Sequence, residues 1–161
     1  MPKYIDMKPF FYLFGLFLFL SCSKNIEPIA YGNDSCTYCS MTIVDPYHAA
    51  QLVTKKGKNY KFDSSECMIH YLHKHSTEST MLHILAADYT HPGKLMDATK
   101  AHFLISEQIS SPMGAFLSAF EDKASAQELQ KQYTGKLYDW KNIQNEITNP
   151  HTEQANPKVH P

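Results

Sequence analysis

The chain has 161 residues, a formal net charge of −1 at pH 7 and no arginine. Arginine is the preferred bidentate partner of phosphate and guanine, so this composition argues against nucleic-acid binding. The length suits one domain or two small ones. Four cysteines are present, and their chemistry depends on the compartment to which the N-terminus directs the chain.

The N-terminal segment is typical of a lipoprotein signal peptide. Residues 10–20, FFYLFGLFLFL, form an uncharged apolar run that is shorter than the about 20 residues of a transmembrane helix. The run ends at Ser21–Cys22, which resembles a lipobox with cleavage before the cysteine and lipid on its thiol. We therefore predict a signal peptide over residues 1–21, lipidation at Cys22 and a polar, lipid-anchored tether over residues 22–33. The alternative is an ordinary secreted protein in which Cys22 is free or disulfide-bonded.

The sequence pattern of residues 34–91 predicts a first ββαβ unit. A turn at Lys56–Gly57 separates two strand-like runs. Asp63 is the predicted N-cap of the following helix, with Glu66 three residues later and apolar residues at helical spacing after it. The predicted elements are two strands in 49–62, a helix over 63–75 and a strand over 81–89.

A second ββαβ unit is predicted over residues 92–148, with residues 92–99 as the connection. Its expected elements are strands at 100–106 and 114–120, a helix over 122–133 that ends before Gly135, and a short strand over 136–140. The fold class is therefore α+β, two tandem ββαβ units with mainly antiparallel sheets. Residues 149–161 are rich in proline and poor in apolar residues, which predicts a disordered tail.

The stretch DSCTYCSMTI, residues 34–43, brings two thiols and a thioether together as Cys36, Cys39 and Met41. Once Cys22 carries lipid, the remaining cysteines are Cys36, Cys39 and Cys67, an odd number for an oxidising compartment. A chain that keeps free thiols outside the cytoplasm often uses them for metal or redox chemistry.

Four interpretations compete for this motif. Structural zinc needs four ligands, and no second Cys/His pair follows Cys36 and Cys39 at a usual spacing. A thioredoxin-like redox pair begins a helix, whereas this motif leads into the strand-like residues 41–44. A Cys36–Cys39 disulfide with Met41 filling the core is the structural alternative. Thiolate and thioether ligands select Cu(I), which explains the combination best.

Three segments resemble the NosL family: DSCTYCSMTIVD, KLMDATKAHFLIS and SPMGAFLSAFEDKASAQELQKQYTGKLYDW. The similarity extends from about residue 27 to about residue 146 and includes the leader. The family motif is Cys-x-x-Cys-Gly-Met, and Ser40 replaces its glycine here, which restricts the backbone more. The family's second Met-Gly pair is similar to Met113–Gly114.

The resemblance implies a lipoprotein that binds Cu(I) and supplies copper to nitrous oxide reductase during its assembly, without catalysis of its own. The partners would be the reductase and its copper-assembly machinery, including an ABC-type transporter complex. The location would be the cell envelope, with a lipid anchor and the domain facing the periplasm. The family also resembles two ββαβ units, in agreement with the pattern above.

The predicted ligands are Cys39 and Met41, with Met113 as the third through the family pattern. Cys36 either binds copper or tunes the site, and Cys67 is a lower-ranked ligand. The alternative function is a thiol-based enzyme, redox or organomercurial-type, that uses Cys36 and Cys39, because NosL-like folds resemble part of an organomercurial lyase.

Overall fold

The computed structural model describes residues 25–75 and 77–149. The predicted signal peptide, Cys22 and residues 150–161 of the predicted tail lie outside the described residues. No helix in the described part combines the length and apolar character needed to cross a membrane. The strands are β1 (Ala50–Thr54), β2 (Asn59–Phe62), β3 (Met81–Ala87), β4 (Leu95–Asp97), β5 (His102–Ile105), β6 (Leu117–Phe120) and β7 (Lys136–Tyr138), and the α-helices are α1 (Ser65–His75), α2 (Lys123–Tyr133) and α3 (Trp140–Thr148).

The strands form two sheets. The first has the order β2-β1-β3-β4 and the second has the order β6-β5-β7. Every pair of neighbouring strands is antiparallel. This arrangement confirms the predicted α+β class with mainly antiparallel sheets.

Local signals explain several elements. Gly57, with φ of 88°, lies in the connection between β1 and β2, at the predicted turn. The carboxylate of Asp122 accepts a hydrogen bond from the backbone N–H of Ser125 at 2.9 Å and so caps α2. After α2, Gly135 has φ of 115°, and a Cβ there would lie 2.2 Å from the carbonyl oxygen of Ile105. Only glycine fits this close approach between the chain and β5.

Three predictions of secondary structure were wrong in detail. The expected connection contains β4, which pairs with β3. The strand expected from residue 114 begins at Leu117, because Gly114 and Phe116 have positive φ and interrupt an extended conformation. The last strand ends at Tyr138, and Asp139 then caps α3 by accepting a hydrogen bond from the backbone N–H of Asn142 at 2.8 Å.

The two units share one hydrophobic core. The ring centroids of Phe103 on β5 and Trp140 on α3 lie 5.9 Å apart. Helix α1 contacts β1 and β2 of the first sheet, β6 of the second sheet, and α3. The N-terminal turn of α1 is therefore buried inside the protein, which matters for the side chains that it carries. The core combines residues of both units, including Ile43, Leu52, Phe62, Met68, Leu72, Phe103, Leu117 and Ile143.

Candidate metal centre

The Cys-x-x-Cys motif folds as a tight turn. Ser35 and Thr42 form an isolated antiparallel bridge around it. Inside the bridge, the backbone N–H of Cys36 donates to the carbonyl oxygen of Met41 at 2.7 Å, and the N–H of Ser40 donates to the carbonyl oxygen of Cys36 at 2.9 Å. The strand start expected after Cys39 is therefore wrong, since the bridge involves a single residue pair.

Ser40 lies in the left-handed region with φ of 66°. Glycine adopts this conformation at little cost, whereas a residue with a Cβ is strained in it. The resemblance to the NosL motif led us to expect glycine at this position, and this chain adopts the left-handed conformation with a serine.

The start of α1 differs from the prediction in a way that bears on chemistry. Ser64 Oγ accepts a hydrogen bond from the backbone N–H of Cys67 at 3.3 Å, so Ser64 and not Asp63 caps the helix. Asp63 Oδ2 instead accepts a hydrogen bond from Cys39 Sγ at 3.5 Å. Asp63 Oδ1 is buried and has no hydrogen-bond partner. The prediction that Asp63 is the N-cap was therefore wrong.

Four side chains converge between the turn and the helix. The sulfur atoms of Cys36, Cys39 and Cys67 and a carboxylate oxygen of Asp63 all lie within 4.8 Å of one another. Cys36, Asp63 and Cys67 are buried, and Cys39 is partly exposed. All three cysteines are free thiols. Cys39 therefore forms the solvent-accessible side of a thiol cluster, which we define as Cys36, Cys39, Cys67 and Asp63.

The cysteines of the thiol cluster differ in acidity. A hydrogen bond from Cys67 lowers the pKa of Cys36 to about 6, against the opposing effect of burial. The same contact, together with burial, raises the pKa of Cys67. Burial also raises the pKa of Cys39. The lowered pKa therefore favours the thiolate form of Cys36, which accepts a hydrogen bond from the Cys67 thiol.

The two predicted thioether ligands are exposed. Met41 is 55% exposed and Met113 is 41% exposed, so neither methionine belongs to the hydrophobic core. Met113 belongs to a turn in which the backbone N–H of Gly114 donates to the carbonyl oxygen of Ser111 at 3.0 Å. Exposed methionines have few packing contacts to lose and remain available to a soft ion.

A buried polar contact joins the Met113 turn to the helix of the thiol cluster. The hydroxyl of Ser111 donates a hydrogen bond to Oε1 of Glu66, and both side chains are buried. Glu66 immediately precedes Cys67. Burial raises the pKa of Glu66, although the Ser111 hydrogen bond acts in the opposite direction. The second unit therefore presents Met113 from a turn that is tied to the N-terminal end of α1.

Aromatic stacking fixes the motif turn from the other side. The rings of Tyr38 and His70 stack with centroids 5.6 Å apart and an angle of 16° between their planes. His73 and His75 are exposed, as expected for a polar helix face. The histidines of α1 thus lie outside the thiol cluster, and the partly exposed Tyr38 covers one of them.

Sequence reasoning ranked Cys67 low and missed Asp63. Asp63 and Cys67 are four residues apart across the start of a helix, and this spacing is the one local signal that places their side chains on the same side of the chain. No second Cys/His pair follows the motif in the sequence, but in the folded chain Cys67 and Asp63 supply two more donor atoms beside Cys36 and Cys39. Nothing local connects positions 36–39 with positions 63–67, so only the folded chain reveals the group.

The fold and the thiol cluster define a small α+β domain with a candidate site for a thiophilic metal. The chain belongs to the NosL family, whose model matches residues 29–148. It is 27% identical over 133 residues to the copper-binding lipoprotein NosL of Stutzerimonas stutzeri, covering 74% of this chain and 67% of that protein. Its fold is similar to the crystal structure of the copper chaperone NosL from Shewanella denitrificans, with a TM-score of 0.66, 23% identity, and coverage of 74% of this chain and 96% of the other.

Proposed function

We propose that this protein is a Cu(I)-binding chaperone that delivers copper for the assembly of nitrous oxide reductase, and that it has no catalytic activity. The observation that carries the proposal is the thiol cluster itself, in which the partly exposed thiol of Cys39 lies beside two buried thiols. Met41 belongs to the same turn as Cys39, and its thioether is exposed. Thiolate and thioether sulfur select Cu(I) over harder ions. Membership of a family with a copper-binding lipoprotein and a copper chaperone supports the same conclusion.

The proposed ligands are Cys39, Met41 and Met113, with Cys36 as a fourth sulfur that binds or tunes the ion. Cys39 and Met41 belong to one tight turn, and the Ser111–Glu66 hydrogen bond ties the Met113 turn to the neighbouring helix. Exposed ligands suit delivery, because an acceptor protein can approach the ion without unfolding the donor.

The proposed location is the periplasmic face of a membrane in the cell envelope, with the lipid on Cys22 as anchor. The lipobox-like Ser21–Cys22 and the lipoprotein relative support this part of the proposal. Mass spectrometry of protein from native membranes should find a diacylglyceryl group on Cys22. An unmodified N-terminus at another residue would refute the anchor and leave the copper proposal intact.

Copper binding is tested by anaerobic titration of the reduced protein against a Cu(I) chelator. We expect tight binding of about one Cu(I) per chain, which weakens as pH falls because protons compete for the thiolates. Failure to compete with the chelator would reject the proposal.

Delivery is tested in cells that make nitrous oxide reductase. Deletion of this gene should leave the reductase deficient in copper, and the wild-type gene, but not one encoding Met113→Ala, should restore its copper content. The ABC-type transporter complex of the assembly machinery is the proposed partner in this transfer. Normal copper content after the deletion would argue against delivery.

A thiol-based enzyme, redox or organomercurial-type, remains the second candidate. Two features favour it: the pKa of Cys36, which the Cys67 hydrogen bond lowers to about 6, and the Asp63 carboxylate, which accepts a hydrogen bond from Cys39 Sγ. Such an enzyme would turn over a disulfide or an organomercurial compound, and replacement of Cys36 would abolish turnover. A chaperone binds Cu(I) and turns over neither substrate, so the two functions are separated by a single pair of assays.

A further inference from the structure

The interior of the thiol cluster has a donor set that the proposed copper site does not use. Cys67 and Asp63 take no part in the Cys39, Met41 and Met113 set, yet their ligand atoms lie within 4.8 Å of each other and of both motif sulfurs. Both side chains are more than nine-tenths buried. A buried carboxylate oxygen without a partner is costly, and Asp63 Oδ1 is such an atom.

We infer that Cys36, Cys39, Cys67 and Asp63 form a four-coordinate site for a divalent thiophilic ion, Zn²⁺ or its analogue Cd²⁺. This site differs from the proposed Cu(I) site in its set of ligands. The two sites share Cys39, and they also share Cys36 if Cys36 binds copper. The two ions are therefore mutually exclusive, and the thioether ligands that only the copper site uses select Cu(I) over a divalent ion.

The geometry fits a tetrahedral ion. Zinc–sulfur bonds of about 2.3 Å place ligand atoms roughly 3.8 Å apart at the corners of a tetrahedron. Donor atoms that all lie within 4.8 Å of one another need only small side-chain movements to reach that spacing. Cu(I), in contrast, is satisfied by two or three sulfur ligands and has little use for a carboxylate.

The charge also suits a divalent ion. Three thiolates and one carboxylate around a divalent ion leave a net charge of about −2, the same as in a four-thiolate structural zinc site. Cu(I) in the same four ligands would leave one more negative charge in a buried place. Asp63 Oδ1 would gain the partner that it lacks, and Cys39 provides the entry from solvent.

Cd²⁺ is the probe, because its bonds to thiolates give an ultraviolet charge-transfer absorbance whose intensity counts the thiolates. The full chain, kept in detergent, reduced and anaerobic, should bind one Cd²⁺ with the intensity of three thiolates. An intensity of two or fewer thiolates in the wild-type protein would overturn the inference, and this measurement needs no variant to fold.

Two variants extend the test. Cys67→Ser should remove one thiolate from the spectrum and weaken Cd²⁺ binding at least about tenfold. Asp63→Asn should keep all three thiolates and also weaken binding, because it removes the anionic oxygen while conserving shape. Unchanged Cd²⁺ affinity in both variants would refute the site.

Met113→Ala is the matched control, since Met113 belongs only to the proposed copper set. It should leave Cd²⁺ binding unchanged, and a loss of Cd²⁺ binding in this variant would contradict separate ligand sets for the two ions. If the wild-type protein binds Cd²⁺ through three thiolates but does not bind Cu(I), the copper site is contradicted and the inferred site stands. If it binds Cu(I) but its Cd²⁺ spectrum shows fewer than three thiolates, the inferred site alone is contradicted. The two proposals therefore fail separately.

Discussion

The two ββαβ units have the same order of elements but use their helices differently. Helix α1 is enclosed by strands of both sheets, and six of its residues are buried. Helix α2 has its main contacts with β5, β6 and β7 of its own sheet, and Ala126 is its one buried residue. The difference explains why the thiol cluster lies in the first unit: an enclosed helix start holds Cys67 and Asp63 away from water. The second unit carries the Met113 turn, which Ser111 ties to Glu66 on α1.

The largest expected effect tests this difference between the helices. Leu72 on α1 is buried, and Leu129 on α2 is only partly buried. Leu72→Ala should lower the free energy of unfolding by about 2–5 kcal/mol, the usual cost of a truncated core leucine. The matched control Leu129→Ala should cost clearly less. Denaturant unfolding of both variants measures the contrast, and equal losses would contradict the asymmetry between the two helices.

A smaller effect is expected at the contact between the units. Ser111→Ala removes the hydrogen bond to Glu66 and leaves a buried carboxyl group without that partner, which should cost about 1–3 kcal/mol of unfolding free energy. If the bond also positions the Met113 turn, Cu(I) affinity should fall in the same variant.

The exposed Ser110, one residue away, provides the control for Ser111. Ser110→Ala should change neither stability nor Cu(I) affinity. Full stability in Ser111→Ala would mean that the contact between the two units contributes little.

Met113 tests whether the second unit contributes a ligand. Met113→Ala should weaken Cu(I) binding at least about tenfold, or about 1.4 kcal/mol, with little change in melting temperature because the side chain is exposed. Leu82 is 42% exposed, against 41% for Met113, so Leu82→Ala is a control of equal exposure without sulfur.

Met81→Ala and Met96→Ala should also leave Cu(I) affinity unchanged, but both side chains are buried, so they are unsuitable as controls for stability. A loss of about 2–5 kcal/mol of stability in Met113→Ala, with copper affinity intact, would mean that Met113 serves packing and that Cys36 is the next ligand to examine.

Replacement of Ser40 by glycine should give a modest gain in stability. Ser40→Gly relieves the left-handed strain at φ of 66° and should raise the free energy of unfolding by about 0.5–1 kcal/mol, after the entropy that glycine adds to the unfolded chain is deducted. Ser40→Ala retains the Cβ and should give no gain. A stabilising alanine would show that backbone strain is not the cause.

The smallest signal is spectroscopic and comes from Cys36. Its pKa is lowered to about 6, so the ultraviolet thiolate absorbance of the metal-free protein should rise through about pH 6 as pH increases. A group with a lowered folded-state pKa stabilises the fold above its unfolded pKa, and this stabilisation is lost as pH falls through the folded value.

Stability should therefore rise from about pH 6 towards about pH 9 by more in the wild-type protein than in Cys36→Ser. The pKa values of Cys67 and Cys39 are raised, so these two thiols stay protonated in that range. A thiolate transition that persists in Cys36→Ser would assign it to another cysteine.

The sequence alone determined the features that local patterns encode. The turn at Gly57 and the end of α2 before Gly135 follow from neighbours along the chain, and the α+β class follows from the order of the elements. The short strand β4 was missed because three residues carry too little periodicity. Helix α3 was missed because Trp140 had been assigned to the preceding strand.

Only the tertiary structure adds Asp63 and Cys67 to Cys36 and Cys39 in the thiol cluster. Asp63 has the sequence context of a helix cap, and only the folded chain transfers that role to Ser64 and directs the Asp63 carboxylate to Cys39. Cys67 has the context of a core residue, and only packing places its sulfur beside Cys36. The physical reason is that helices, turns and caps are determined by residues within a few positions, whereas a metal centre depends on distances between segments that the chain brings together only when its core closes.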